Sequence, residues 1–445
     1  MKLTLLWTDI MVWVLVFTVL AWSWVVSRSP QVKKQWHMIF RSGIAMASAI
    51  VLLFYLLFTL LDSVHLRFAD TSTENKSEQV QYGEMTSLLD LLFSHNIKNT
   101  ERTYSAPFAT HEYAKSIVVD ENGVTKQAYL PLKYVSKSDD LFLKSVFAVL
   151  IGLVISGSLI FLHIFWRKKR GSKSELPWRI AYVTLTFLIV TFTWFYILSY
   201  THHVLGTDKV GGDVLYQSLK SIRTGVLIGI LTTLIMLPVA IILGVSAGLF
   251  GGWVDDVIQY LYTTLSSIPG VLLIAAGVLV MQVTMDNNPT WFETTLERSD
   301  LRLLFLILIL GITSWTGLCR LLRAETLKIS QIEFVTAAKA FGVGKLTIIR
   351  RHIIPNLMHI ILISVVLDFS GLVLAEAVLS YVGVGVDPTM HSWGNMINQA
   401  RLEMAREPMV WWSLFSAFVF MFILVLAANL LSDRIQTVLD PRNKS

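Results

Sequence analysis

The chain has 445 residues, of which 54% are hydrophobic and only 15% charged. A soluble enzyme or nucleic-acid-binding domain of this length needs far more polar surface, so both classes are excluded. The formal net charge of +6 fits basic residues gathered in short loops held on the cytoplasmic side of a membrane.

Apolar runs long enough to cross a bilayer recur along the chain. The first is expected over 5–26 and a second over 43–61, with Arg28, Lys33, Lys34 and Arg41 in the loop between them. Those cations put the loop in the cytoplasm and the N-terminus outside. A polar segment, 62–140, carries more acids than bases and is long enough for a small extracytoplasmic domain. A third span over 142–166 returns to "RKKRGSKSELPWR", the most basic short loop of the chain. Further spans are expected over 180–199, 221–249, 257–283, 302–318, 356–383 and 410–431, leaving the C-terminus in the cytoplasm. Asp9 and Asp62 fall near span ends and are expected to be solvated or to snorkel.

Cys319 is the only cysteine, so an internal disulfide and a thiolate metal cluster are ruled out. The ten histidines show no metal-ligand spacing. The segment 319–354 stands out as polar and basic between two spans. Its core, "EFVTAAKAFGVGKLTIIRRHIIPN", holds good helix formers up to Gly342, a natural helix stop. A second short helix is expected to run to Pro355, which suits the first turn of the next span. The "GVGKLT" within it is no nucleotide loop: Lys339 stands where the first glycine of such a loop belongs, and Leu346 follows Lys345.

This stretch resembles the cytoplasmic "EAA" loop of the permease subunits of binding-protein-dependent ABC importers. Ala337, Ala338, Gly342 and Pro355 match motif positions, while Thr336 stands in place of the leading Glu. "HVLGTDKVGGDVL" resembles the family's "HPLGTDxxGRDVL", with Gly212 in place of its Arg. The following "SIRTGVLIGI" is similar to the family's entry into a helix, at Arg223 and Gly229. "LAEAVLSYVGVGVDPTMHSWGNMI" and the tail "LDPR" fit the same family. These motifs run in order from about 180 to 442 and identify the C-type permease of the dipeptide/oligopeptide/nickel group.

The resemblance implies an all-α polytopic membrane protein: a six-helix type I ABC importer permease core over 180–445. It is preceded by an extension, 1–179, with about three extra transmembrane helices and a small extracytoplasmic insertion. It implies a non-catalytic subunit without a cofactor of its own, in a bacterial cytoplasmic membrane. The implied partners are a homologous second permease, two ATPase subunits that hold ATP and Mg, an extracytoplasmic binding protein and the lipid bilayer, with no nucleic acid. The coupling residues would be Glu333, Thr336, Ala337, Ala338, Lys339, Gly342, Arg350 and Pro355. On the outer side Gly206, Asp208, Gly211 and Asp213 serve either as turn and cap residues or as contacts to the binding protein. Trp393 is an outer-gate or interfacial residue. Asp368 and Glu376 are ionisable groups in or near an apolar span, where such groups usually face a cavity or a partner. Peptides are the implied cargo, with nickel or a metallophore as the alternative. Two further readings are a proton-driven transporter using Asp368 and Glu376, and a signalling complex built on the permease fold.

Overall fold

The computed structural model describes residues 2–28, 30–69, 82–119, 125–135, 140–169, 176–292 and 294–439. Parts of the outer segment (70–81, 120–124, 136–139), of the basic loop (170–175) and of the "LDPR" tail (440–442) lie outside the described residues.

The chain opens with a strand, β1 (Lys2–Thr4), then helices α1 (Trp7–Ser27), α2 (Pro30–Phe40) and α3 (Gly43–Asp62). Next come β2 (His65–Ala69), β3 (Tyr82–Ser87), α4 (Leu88–Leu92), α5 (Ser94–Lys98) and the hairpin β4 (Ser116–Val119) and β5 (Thr125–Ala128). Helices α6 (Leu141–Lys169), α7 (Trp178–Ser199), α8 (Val214–Phe250), α9 (Gly252–Ser267), α10 (Gly270–Asn287) and α11 (Thr295–Ser330) follow. The chain ends with α12 (Glu333–Ala340), α13 (Lys345–Ile348), α14 (Ile354–Val382), α15 (Trp393–Glu403) and α16 (Trp412–Leu439).

Among the described residues eight helical segments are long and apolar enough to cross a membrane; the apolar stretch of α1, Trp7–Ala21, is shorter. The helical, polytopic architecture expected from sequence is therefore present, with two small antiparallel sheets added. β1 pairs with β2, and β2 with β3, so the start of the chain joins the outer segment in one sheet.

Three expectations need correction. The span placed at 257–283 is two helices, α9 and α10, because Pro269 lacks the N–H that a continuous helix requires there. The span placed at 302–318 belongs to a 36-residue helix, α11. Its charged last turns, with Arg320, Arg323, Glu325 and Lys328, continue the helix past the apolar stretch, so the irregular polar segment between the two spans begins near 331 instead of 319. Lastly, Pro355 stands in the first turn of α14 as expected, but the second short helix runs into α14 without a gap. A π turn, Ile349–Ile353, joins α13 to α14, one way for a helix to carry a proline with no donor to offer.

Packing follows small residues. α8 lies along α11, with Ala240, Gly244 and Gly248 spaced four apart. A Cβ at Gly244 would stand 2.7 Å from the Cys319 carbonyl, and one at Gly248 2.6 Å from Thr326 Cβ. Close backbone approach of this kind substitutes for hydrophobic driving force between helices in lipid. Ala148, Gly152 and Ser156 do the same for α6 against α7, where a Cβ at Gly152 would meet Val190 Cα at 2.8 Å. α7 packs on α6 and α3, so a division of the chain at 179 is not a packing boundary.

Gly248→Leu is expected to force α8 and α11 apart and destabilise the protein by about 1–3 kcal/mol, the usual overpacking range. A lowered melting temperature of the purified full chain checks this; an unchanged one contradicts the contact.

Candidate functional site

The candidate residues at the helix ends fall into two groups. At one end, α11 passes through Gln331 and Ile332 into α12, which closes in a left-handed glycine, Gly342, at φ 74°. The Gly342 N–H donates to the Lys339 carbonyl and the Val343 N–H to the Ala338 carbonyl, both at 3.0 Å. This satisfies the last turn of the helix. No atom lies within 4 Å of a Cβ built on Gly342, so the glycine answers to backbone conformation and not to crowding.

The resulting knob has a buried root and an exposed tip. Val335, Ile348 and Ile353 are fully buried in a cluster with Ala240, Cys319 and Leu322. Phe341 and Leu346 are 87% and 81% exposed. Glu333, Thr336, Ala337, Lys339, Arg350 and Pro355 are exposed, and Ala338 is half-buried. Thr336 turns its hydroxyl back onto the Ile332 carbonyl at 2.8 Å, and Lys339 Nζ donates to the Ser330 carbonyl. Below the knob, Arg323 Nη2 donates to Asp255 Oδ2 at 2.7 Å and ties α11 to α9. That hydrogen bond, with the guanidinium charge, holds the Asp255 carboxyl below its ordinary value.

At the other end, the turn 203–213 is clasped by the segment 101–108. Glu101 N–H donates to the Gly211 carbonyl at 3.0 Å, and Ser105 N–H to Thr207 Oγ1 at 2.7 Å. A Cβ at Gly211 would sit 1.8 Å from the Glu101 carbonyl oxygen, and one at Gly206 2.5 Å from that of Ser105. Both glycines have positive φ, so close approach and backbone conformation each require them. Asp208 accepts from the Val210 and Gly212 N–H groups and from Gln217 Nε2. A side chain at Gly212 would run into that Gln217 amide, at 2.9 Å. Asp213 caps α8 by accepting from the Tyr216 N–H and also receives His203 Nδ1 at 2.9 Å. Asp213 is buried.

Trp393 is buried against Gly225 and Tyr55, with Nε1 donating to the Ser218 carbonyl at 3.1 Å. Glu376 is buried between α14 and α15 and accepts from Ser380 Oγ at 2.8 Å. Asp368 is half-buried on α14 and has no hydrogen-bond partner among the described residues.

Sequence reasoning missed a buried ionic seam between the extension and the helices that follow. Arg223 Nη2 donates to Asp9 Oδ1 and to Thr8 Oγ1, each at 2.7 Å, and lies 3.6 Å from Asp300 Oδ1. Asp9 also takes His65 Nδ1 at 2.8 Å and the Leu6 N–H, while Thr8 donates its N–H and its hydroxyl to Asp300. One turn earlier on α8, Lys220 pairs with Asp90 and lies 3.8 Å from Asp62. Asp9 and Asp62 are thus buried, not solvated: each has cations and donors that replace water. The available signal was the spacing of Lys220 and Arg223, one turn apart on the same helix face. A polar cavity of about 210 Å³ runs along this seam between Asp62, Asp90, Lys220, Arg223 and His391.

Burial alone would raise the Asp90 carboxyl. Lys220, with donors from Ser87 and Tyr216, outweighs it and holds the carboxyl below its ordinary value. A carboxyl lowered on folding stabilises above its unfolded value and loses that contribution as pH falls. The stability difference between wild type and Asp90→Asn is therefore expected to shrink below about pH 4, measured by protease resistance of the outer region at graded pH. Arg223→Leu strands Asp9 and Asp300 and is expected to cost about 3–5 kcal/mol. Part of that loss should return in Arg223→Leu/Asp9→Leu; equal damage in both variants contradicts the pairing.

The model of the family described as "Binding-protein-dependent transport system inner membrane component" matches residues 240–445. The oligopeptide transport system permease protein OppC of Mycobacterium bovis is 31% identical over 245 residues, 55% of this chain and 78% of that protein. The glutathione transport system permease protein GsiD of Pectobacterium atrosepticum is 31% identical over 55% of this chain and 74% of its own length. The dipeptide transport system permease protein DppC of Bacillus subtilis is 30% identical over 54% and 69%. An inward-facing structure of the MetNI methionine ABC transporter overlaps 51% of this chain at 15% identity, with a TM-score of 0.40, too low to bear on the fold. The relatives leave nearly half of the chain unmatched. With its helical membrane architecture, the chain belongs to the binding-protein-dependent transport system inner membrane components, as a permease subunit of an ABC importer.

Proposed function

We propose that this chain forms half of the translocation pathway of an ATP-driven peptide importer and takes its power stroke at α12. The observation that carries this is the knob: an apolar tip, Phe341 and Leu346, exposed on a root fixed by Val335, Ile348 and Ile353. Such a tip fits a groove in a partner, and its buried root makes any push on it a push on α11 and α14. ATP hydrolysis belongs to separate ATPase chains. The cargo class is supported by the relatives, which are oligopeptide, dipeptide and glutathione transport permeases. The homologous second permease and the extracytoplasmic binding protein complete the assembly.

In this reading the α12 end is cytoplasmic, and the sheet, the N-terminus and the turn 203–213 face outward, in agreement with the basic loops. The segment 101–108 of the extension covers the outer turn, so the binding protein docks on the extension in this half of the transporter. Glu376 and Trp393 brace α15 in place. Asp368, without a partner, is the ionisable group offered to the pathway.

Work done through the knob is a population shift, so it depends on differential contact in two states. Gly342→Val forces a β-branched residue into the left-handed region, a strain of about 1–2 kcal/mol. Together with Phe341→Asp it is expected to lower ATP-dependent peptide uptake at least about ten-fold with normal membrane insertion. Uptake and ATPase co-purification that both match wild type would sink this role. Asp368→Asn is expected to slow uptake without loss of assembly; unchanged uptake removes Asp368 from the pathway.

A further inference from the structure

We infer that the extension helps to build a site for an anionic phospholipid at the α12 end of the helices, with the headgroup on α2 and an acyl chain in the cleft among α3, α8, α14 and α16. Two independent observations meet there. The first is α2 itself, an 11-residue amphipathic helix between two spans, "PQVKKQWHMIF". It buries Ile39, stacks Trp36 on Phe40, and exposes Lys33 and Lys34, which make no ion pair among the described residues. A short basic helix with aromatic and aliphatic residues on its other face lies in the plane of a membrane interface. Across α2, the first turn of α3 and the last two turns of α16, Asp433 is the only carboxylate among the described residues.

The second observation is an apolar cleft of about 430 Å³ whose walls are α3, α8, α14 and α16. Ala49 and Leu431 line its side nearer to α2, while Tyr55 and Leu424 lie deeper. α2 packs on both α3 and α16, two of the four helices that wall this cleft. From Ala49 to Leu56 the wall runs about 10 Å along the helix axis. The cleft therefore takes an extended hydrocarbon chain entering from the leaflet in which α2 lies. A cationic helix over an apolar cleft matches one molecule with two chemistries, a negatively charged headgroup joined to an acyl tail. Clusters of Lys and Arg beside membrane spans select anionic over zwitterionic lipid. α2 and α3 precede the stretch matched by the family model, whereas α14 and α16 lie within it, so the headgroup site and one wall of the cleft are supplied by the extension; the site does not depend on the cargo reading.

The test uses the purified full chain, stripped of lipid and titrated with phosphatidylglycerol or phosphatidylcholine of identical acyl chains. Bound lipid is counted by native mass spectrometry. Phosphatidylglycerol is expected to bind more tightly, by about five-fold for each lysine engaged. Lys33→Gln/Lys34→Gln should erase that preference and leave the phosphatidylcholine signal as it was, while Lys33→Arg/Lys34→Arg keeps the preference. Ala49→Phe should lower binding of both lipids. Equal binding of the two lipids, a preference that survives the double Gln variant, or binding untouched by Ala49→Phe overturns the site. Displacement of the lipid by inorganic phosphate, or loss of preference in the Arg variant, overturns it as well.

Discussion

The structure turns on the burial of Arg223. A guanidinium set near the start of a long apolar helix is almost cut off from bulk solvent, and α8 supplies no anion of its own near it. Asp300 on α11 lies 3.6 Å away, too far to satisfy it alone. Asp9 and Thr8, from the first turn of the extension, complete the coordination at hydrogen-bond distance. The ion pair therefore does more than decorate an interface. It makes the extension part of the environment that the permease helices require. Lys220 repeats the device one turn away with Asp90 and Asp62.

That anchoring reaches the opposite end of the molecule through α11. The helix runs unbroken for 36 residues, about 54 Å, from the Asp300 seam to the root of α12. Its contacts with α8 are backbone-close at Gly244, Gly248 and Gly311, which leaves little room for one helix to bend without the other. A displacement at the knob and the position of the outer cover are thus mechanically related.

Much of this was legible in sequence, and the parts that were not share a cause. Helix positions, the glycine stop at Gly342 and the cap at Asp213 depend on local chemistry, which a short window of residues contains. The break at Pro269 is also local, but a continuous apolar run across it masked the signal. The seam was not legible because its members, Asp9, Asp62, Asp90, Arg223 and Asp300, are far apart in the chain. Each looks like an ordinary charge at the edge of a span. Only their convergence shows that they are buried, and convergence is a tertiary fact. The covering of the turn 203–213 was hidden for the same reason: Gly206 and Gly211 read as turn glycines, and the carbonyls that crowd them belong to residues a hundred positions earlier.

The strand at Lys2–Thr4 gives the seam a direction in time. Its partner strand starts at His65, and the side chains that satisfy Asp9 and Thr8 sit at positions 223 and 300. The first turn of the first helix is therefore among the last parts of the protein to reach its final partners during synthesis. Until α8 and α11 have entered the membrane, a nascent chain carries a carboxylate at the membrane edge without its guanidinium. Translation order and stabilisation order run in opposite senses here, so the extension has no finished state ahead of the permease that it covers.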